Sequence, residues 1–299
     1  MISDEAIELL RHENVRAYLA VAAATCALYD HVTTLDEEIE LVWRRKWSVV
    51  QMLFLFNRYA GDALLIYSAF VFVRHADTQS QKNCNLANLL LGFLGGAVVS
   101  SMQGIMVLRV SSMYNNSRKI KLLLLAAFSV EGTTSFIMQI IDNTSRYRRS
   151  NVVAGVSLCR LDNFAPWSYA IWIPLVCFES LVFFLSVSLA IKYHQSLKDL
   201  PALSPFLSRQ SLLFILLRDS ITFPCIFMTI CLVNVFAWMY PPYKVAELVF
   251  TLAALAPCVI GSRLVLNLRE AYYRPFSEEC KAHEMAWRTD QLEYLNDTQ

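Results

Sequence analysis

Several ionisable side chains lie inside or beside long apolar stretches of this chain. They are Asp30, Arg58, Asp62, Glu131, Glu179, Asp219 and Glu247. An ionised group at the centre of a membrane-spanning helix costs about 2.5 to 3.5 kcal/mol on insertion scales unless a partner offsets that cost. Residues of this kind form either a structural polar network or a pathway for a ligand or an ion, and both interpretations stay open at this point.

The candidates for ligand binding or for a polar network are five of these residues. They are Arg58, Asp62, Glu131, Glu179 and Glu247. Arg58 and Asp62 are spaced i to i+4, so on a helix they share a face and can pair. Pro174 precedes Glu179 and predicts a kink that could turn this carboxylate toward a central cavity, with an ordinary kink as the alternative. Pro224 and Pro257 are likewise placed for bends in later helices.

A stripe of small residues recurs every fourth position in one apolar stretch. Its members are Gly92, Gly96, Ser100 and Gly104. Residues four apart lie on one face of a helix, and small side chains let a neighbouring helix approach closely. The stripe therefore predicts tight packing at the centre of a helix bundle, with homodimerisation or a ligand groove as alternatives.

Composition identifies the solvent that these elements need. Apolar residues make up 56% of the 299 positions, charged residues make up 17%, and the mean hydropathy is +0.41. These values are typical of a membrane protein rather than a soluble domain. The net charge of +1 excludes a strongly basic surface, so no nucleic-acid partner is expected.

Seven stretches are long and apolar enough to be read as membrane-spanning helices. They cover residues 15–35, 48–73, 86–110, 120–141, 167–191, 212–240 and 245–268. We therefore predict an all-α membrane protein with a bundle of about seven transmembrane helices. The first stretch is the weakest because Asp30 and His31 interrupt it, and the sixth is overlong. Six helices is the alternative.

Lys and Arg collect on one side of this predicted topology, which places the N-terminus outside and the C-terminus in the cytoplasm. The cationic cluster at Arg146 to Arg149 opposes that bias. Residues 1–268 form the predicted transmembrane domain, and residues 269–299 form a cytoplasmic tail. The segment 36–47, with Trp43, Trp47 and three adjacent cations, is typical of an interfacial anchor.

This orientation places Cys84 and Cys159 on the oxidising side, where they could form a disulfide or remain unrelated thiols. Asn143 begins an N-glycosylation sequon on the same side, close to the membrane. Five other cysteines lie within apolar runs, where a thiol usually acts as a small hydrophobe. They are Cys26, Cys177, Cys225, Cys231 and Cys258.

Several membrane chemistries lack their residues in this sequence. The last predicted helix has no lysine for a retinal Schiff base, and only His31 among the histidines is placed for haem ligation. The sequence His283-Glu-Met-Ala-Trp287 lacks the second histidine of a zinc protease. We find no inverted repeat of the transporter type. No cofactor, no metal site and no enzymatic activity are predicted.

One set of motifs in the first third of the chain comprises Tyr29-Asp30-His31, Leu35-Asp36-x-Glu38, Trp43 and Asn57-Arg58-Tyr59. Further motifs follow in Leu108-Arg109 with Tyr114, Cys159, Trp172 to Glu179, Leu217-Arg218-Asp219, Asn234 and Arg263-x-x-x-Asn267-Leu268-Arg269. In these motifs the chain resembles an uncharacterised family of multi-span membrane proteins from mushroom-forming fungi, which is catalogued as a domain of unknown function. The resemblance implies a seven-helix protein of a plasma membrane or an endomembrane and no particular activity.

A broader analogy is with G-protein-coupled receptors, which the chain resembles in helix count, outward N-terminus, cysteine placement and proline-containing late helices. The chain departs from them at Arg109, which follows no acidic residue, and at the end of the last helix, which lacks the expected proline. The first hypothesis is a receptor-like or sensory protein with a small-molecule ligand and a cytoplasmic signalling partner. The second is a transporter or channel that uses the intramembrane charges, and a scaffold or lipid-modifying enzyme is a third. Membrane lipid is a partner in every case.

Overall fold

The computed structural model of the chain describes residues 4–73, 81–145, 151–153, 156–158, 167–198, 212–240, 244–270 and 273. Apart from one short antiparallel pair, β1 (Asn151–Val153) and β2 (Val156–Leu158), the regular structure in these residues is helical. The predicted all-α fold is confirmed in this respect. The predicted tail beyond residue 270 lies outside the described residues, except for Tyr273.

The helices follow the apolar stretches of the sequence closely. They are α1 (Asp4–Thr33), α2 (Leu35–Glu38), which continues as a π-helical turn (Ile39–Trp43), α3 (Val49–Val73), α4 (Gln81–Met113), α5 (Arg118–Ser145), α6 (Trp172–Lys198), α7 (Leu212–Met239), α8 (Lys244–Ala253) and α9 (255–270). A 3₁₀ turn, Ser168–Ile171, leads into α6.

Six helical segments are long and apolar enough to cross a membrane. They are Val49–Val73, Leu86–Met113, Arg118–Asn143, Ser168–Lys192, Arg218–Met239 and Val245–Glu270. The chain is therefore a multi-pass membrane protein by helix length and composition. The first predicted segment is not among the six, because Arg16 near its start and Asp30 and His31 near its end leave no sufficiently long apolar stretch.

The helix contacts describe a closed ring. Each of α3, α4, α5, α6, α7 and α8 packs against the next, and α1 packs between α8 and α3. The inner face of α1 is a run of buried alanines, Ala17, Ala20, Ala23, Ala24 and Ala27. Its outer face carries exposed apolar and aromatic residues such as Tyr18 and Val32. A seventh spanning helix remains a prediction, and α1 is the helix to which it applies.

One end of the ring, where α1 ends and α3 begins, is filled by a packed apolar cluster. We call it the closed end. Leu41 and Val42 of the π-helical turn are buried there against Phe54 of α3 and Leu124 of α5. Gln51 donates a hydrogen bond of 2.6 Å to the carbonyl of Val42. The middle of the segment 36–47 is therefore packed into the closed end, and its role as an interfacial anchor stays a prediction.

The three prolines behave differently from one another. Pro174 lies in the first turn of α6, directly after the 3₁₀ turn, so the kink that it predicts would fall at the start of this helix and stays a prediction. Pro224 lies inside the continuous helix α7. Pro257 follows a break between α8 and α9, four residues after Ala253, whose carbonyl its ring would oppose.

Candidate functional site

A cavity of about 480 Å³ lies among the helices at the end of the ring opposite the closed end. We call this the cavity end. Every helix from α3 to α9 and also α1 contributes to its wall. The volume falls in the range of small-molecule sites. Its wall is mainly apolar and includes seven aromatic rings, Phe72, Phe93, Phe136, Trp172, Phe227, Trp238 and Phe250.

The polar part of the wall comes largely from one face of α5. Glu131, Ser135, Gln139 and Asn143 follow one another at four-residue intervals, and all four line the cavity. Residues at this spacing lie above one another on a helix. A polar stripe therefore runs along an otherwise apolar spanning helix, and it faces inward rather than toward lipid.

The small-residue stripe of α4 lies opposite and divides into two parts. Gly92, Gly96 and Ser100 line the cavity, whereas Gly104 does not. A Cβ on Gly92 would lie 2.0 Å from Nε2 of Gln139, and one on Gly104 would lie 3.3 Å from Leu53. Gly104 thus lies close to an apolar side chain of α3. Gly92 instead provides room for a polar side chain of α5.

Glu131 is the carboxylate of the stripe. It is only 5% exposed, and Ser135 donates a hydrogen bond of 3.1 Å to its Oε1. Its other oxygen, Oε2, makes no hydrogen bond within the described part of the chain. A buried charge without a compensating partner is costly. Glu131 is therefore the group of the cavity wall at which a donor from a ligand would be most favourable.

At the cavity end, α1 and α8 meet through charged side chains. Nη1 of Arg16 lies 3.6 Å from Oε2 of Glu247 and 3.9 Å from Oε2 of Glu13. Its guanidinium carbon lies 4.1 Å from the ring centre of Phe72, the distance of a cation–π contact. Both Arg16 and Glu247 line the cavity.

His12, Glu13 and Glu247 bring ligand atoms within 4.8 Å of one another, a set that could hold a metal ion. The guanidinium of Arg16 already contacts both carboxylates. A metal ion there would face this fixed positive charge. The arrangement is therefore better described as an ion-pair cluster.

Glu179 lies apart from the cavity wall. The residue is fully buried, and Gln103 of α4 donates a hydrogen bond of 3.4 Å to its Oε1. The predicted exposure of Glu179 to a central cavity through a kink at Pro174 is wrong. The reason is that α6 starts at Trp172, so Glu179 lies two turns into an unbroken helix and points among its neighbours.

The second polar group is the Glu38 cluster, which surrounds the fully buried carboxylate of Glu38 near the closed end. Nε of Arg58 lies 2.8 Å from Oε2 of Glu38. Trp43 and Tyr59 donate hydrogen bonds of 2.8 and 3.0 Å to Oε1. Nε2 of His31 lies 3.6 Å from Oε2.

Arg58 and Asp62 do not pair with each other as their spacing predicted. Arg58 also donates to the carbonyl of His31, at 3.0 Å, and to the hydroxyl of Thr34. Asp62 contacts Nδ1 of His31. The end of α1, Thr34 and α2 thus supply the partners, because this part of the chain folds back against α3. Asp30, just before His31, pairs with Arg263 of α9 at 2.7 Å.

The five predicted network residues therefore fall into three places. Glu131 and Glu247 line the cavity, Glu179 is buried away from its wall, and Arg58 and Asp62 belong to the Glu38 cluster. They do not share one cavity in the described part of the chain.

Two further predicted sites concern residues that the structure describes only in part. Cys159 lies outside the described residues, as does the side chain of Cys84, so the disulfide stays a prediction. Asn143 lies near the end of α5, donates a hydrogen bond of 2.9 Å to the carbonyl of Gln139 and lines the cavity. Its glycosylation also stays a prediction.

The sequence analysis missed His12 and Glu13 because it began the first helix at residue 15, and it missed Arg16 because no local pattern shows that Glu247 of α8 lies beside it. It also missed Ser135 and Gln139, although their spacing from Glu131 was a readable signal. A polar residue at every fourth position of an apolar helix indicates an inward-facing stripe.

Comparison with known proteins gives one match. Residues 18–63 match the sequence profile of a family of unknown function (DUF6533). The search of curated proteins finds no match. The matched segment runs from α1 to the middle of α3 and contains the whole Glu38 cluster. None of the residues that line the cavity lies within 18–63.

Proposed function

We propose that this chain is a receptor-like or sensory protein of seven transmembrane helices that binds a small molecule in the cavity between them. The N-terminus lies outside, the C-terminus lies in the cytoplasm, and α1 is the seventh spanning helix. The ligand enters from outside. The proposal places the protein in a plasma membrane or an endomembrane.

The observation that carries the proposal is the contrast between the two ends of the ring. The cavity lies among the helices at one end. At the other end, Leu41, Val42, Phe54 and Leu124 belong to one packed cluster of buried residues. A site with one closed end suits reception, because transport requires access from both sides at some stage of the cycle.

The exposed charges support the orientation. The loops at the closed end carry two exposed cationic groups, Arg44 to Lys46 before α3 and Arg118 to Lys121 at the start of α5. Short loops rich in Lys and Arg face the cytoplasm. The closed end is then also the surface available to a cytoplasmic signalling partner.

A cysteine placed in the cavity tests this proposal directly. Ser135→Cys would put a thiol on the polar stripe, and Arg45→Cys would put one in an exposed closed-end loop. A charged, membrane-impermeant thiol reagent is applied to intact cells and to inside-out vesicles. We expect Ser135→Cys to be labelled above the wild-type background in intact cells but not in inside-out vesicles. Arg45→Cys should show the reverse, with labelling in inside-out vesicles alone.

Labelling of Ser135→Cys from inside only would show that the proposed orientation is reversed. If this variant were labelled from neither side, the proposal of an accessible cavity would be contradicted. Labelling from both sides would favour the second candidate, a transporter or channel. The buried pair of Glu179 and Gln103 favours that candidate, since it places a further carboxylate inside the bundle beyond the cavity wall.

A further inference from the structure

The wall of the cavity carries more negative than positive groups. Three carboxylates line it, those of Glu131, Asp142 and Glu247, and a single cation, Arg16, stands against them within the described residues. Arg16 is already committed, because it contacts Glu247, Glu13 and the ring of Phe72. Its charge is therefore not available to neutralise the rest of the wall.

The three carboxylates differ in what they contact. Glu247 has Arg16 at 3.6 Å, and Asp142 accepts a hydrogen bond of 3.4 Å from Ser168. Glu131 has the hydroxyl of Ser135 on one oxygen, while its second oxygen is buried and makes no hydrogen bond to any described residue. The cavity wall thus includes a carboxylate that is more than nine-tenths buried and has one oxygen without a hydrogen bond from the described residues.

The surroundings of this carboxylate are those of an organic ligand rather than a bare metal ion. Metal ions such as Ca²⁺ take six to eight oxygen ligands, whereas the wall here is mainly apolar. Trp172, Phe136 and Phe227 line the same cavity. Aromatic faces attract cations and also bury apolar surface. A ligand with a positive group and an apolar body would satisfy both kinds of wall.

We infer that the cavity binds a small organic cation, an amine in its protonated form, whose ammonium group donates to Glu131 while its apolar body lies among the aromatic rings. This inference rests on the proposed function, since it names the ligand class of the same cavity. Gln139 and Ser135 supply further polar contacts along the α5 stripe.

The test uses three probes that differ only in their head group: 4-phenylbutylammonium, 4-phenylbutanol and 5-phenylpentanoate. Each is titrated against the purified full chain in lipid nanodiscs at pH 7, and the apparent Kd is taken from the concentration dependence of the thermal midpoint. We expect the ammonium probe to bind at least tenfold more tightly than the alcohol. The carboxylate should bind least.

Variants assign the preference to Glu131. In Glu131→Gln the ammonium and the alcohol should bind within about twofold of each other, while the affinity for the alcohol stays close to that of the wild type. Ser135→Lys, which places a cation beside Glu131, should also abolish the preference. Glu37→Gln removes an exposed acid outside the cavity wall and should leave the preference intact. Binding of the alcohol shows that each variant is folded.

The outcomes distinguish a failure of this inference from a failure of the proposed function. Three results would overturn the inference that the ligand is a cation bound by Glu131, while the proposed ligand cavity would stand. They are equal binding of ammonium and alcohol to the wild type, tighter binding of the carboxylate, and a preference that survives in Glu131→Gln. If no probe binds but Ser135→Cys is labelled from outside, the ligand class is again wrong. If no probe binds and the thiol is not labelled, the proposed function fails too.

Discussion

Nε of Arg58 lies 2.8 Å from Oε2 of Glu38, and this ion pair joins the short helix α2 to α3 within the closed end. Both residues are at most 2% exposed. The desolvation of two buried charges is offset only while both partners and their hydrogen bonds are present. Trp43 and Tyr59, which both donate to Glu38, supply those hydrogen bonds. The pair therefore holds the α2 segment beneath the bundle.

Removal of the cation from this pair should strongly destabilise the protein. Arg58→Leu leaves the carboxylate of Glu38 buried opposite an apolar side chain, which should lower the free energy of unfolding by about 3 to 5 kcal/mol. Thermal unfolding in detergent, followed by tryptophan fluorescence, measures the loss. The double variant Glu38→Leu with Arg58→Leu should recover a large part of it, because no buried charge is left alone.

Glu40 provides the control for this comparison. It lies close to Glu38 in the chain but is exposed. Glu40→Gln should melt close to the wild type. If Arg58→Leu also melted like the wild type, the buried ion pair would not hold the closed end together.

The close approach of α3 and α9 predicts a second stability difference. A Cβ on Gly261 would lie 2.5 Å from Oδ1 of Asn57, whose Nδ2 is held by hydrogen bonds to Val98 and Ser101. Because Asn57 cannot shift without breaking these bonds, Gly261→Ala should cost about 1 to 3 kcal/mol through overpacking. The same thermal unfolding assay measures the cost.

Gly132 is the matched glycine for that experiment. A Cβ there would meet no atom within 4 Å, and alanine has the higher helix propensity. Gly132→Ala should therefore be neutral or slightly stabilising. Equal losses in the two variants would mean that helix propensity or lipid contact, and not the contact with Asn57, decides the effect.

The hydroxyl of Tyr114 predicts a pH-dependent difference. It donates a hydrogen bond of 2.8 Å to the carbonyl of Leu185, and burial raises the pKa of Tyr114 above its usual 10.0. Near neutral pH, Tyr114→Phe should lose about 0.5 to 1.5 kcal/mol of stability with the hydrogen bond. Above pH 10 the unfolded state ionises first, so the wild type loses stability and the difference from Tyr114→Phe should narrow.

Thermal unfolding of both proteins from pH 7 to pH 11 tests this expectation. Tyr18→Phe is the control, because Tyr18 is 73% exposed on α1. It should show little difference from the wild type at any pH. A gap between wild type and Tyr114→Phe that widened above pH 10 would contradict the assignment of the effect to this hydroxyl.

The sequence predicts the helices because apolar length is a local property. The stretch 48–73, for example, corresponds to α3 (Val49–Val73) within one residue at its start. Partners of buried charges are not local. The spacing of Arg58 and Asp62 shows that they share a face, but it does not show that His31 and Glu38 lie closer to them in the folded chain. A helical link that folds back over α3 decides that pairing.

The side chains that meet at the cavity wall could not be predicted from the sequence either, because they are distant from one another in the chain. Gly92 and Gln139 are each unremarkable in the sequence, and only the packing of α4 against α5 brings the amide into the space above the glycine. Glu131 could be recognised as a buried acid from its apolar surroundings. That none of the described residues supplies it with a cationic partner depends on the positions of all the helices around it.

Gly92 and Gln139 also yield the last prediction, which concerns access to the cavity. A Cβ on Gly92 would lie 2.0 Å from the end of the flexible Gln139 side chain, so Gly92→Ala should displace the amide into the cavity without a large loss of stability. The rate at which Ser135→Cys reacts with the thiol reagent should fall severalfold. Gln139→Ala in the same chain should restore it. Gly104→Ala is the control, because its added methyl group would approach Leu53 of α3 instead. It should leave the reaction rate unchanged. An equal fall in rate there would show that the packing of α4 in general, and not the Gln139 amide, controls access.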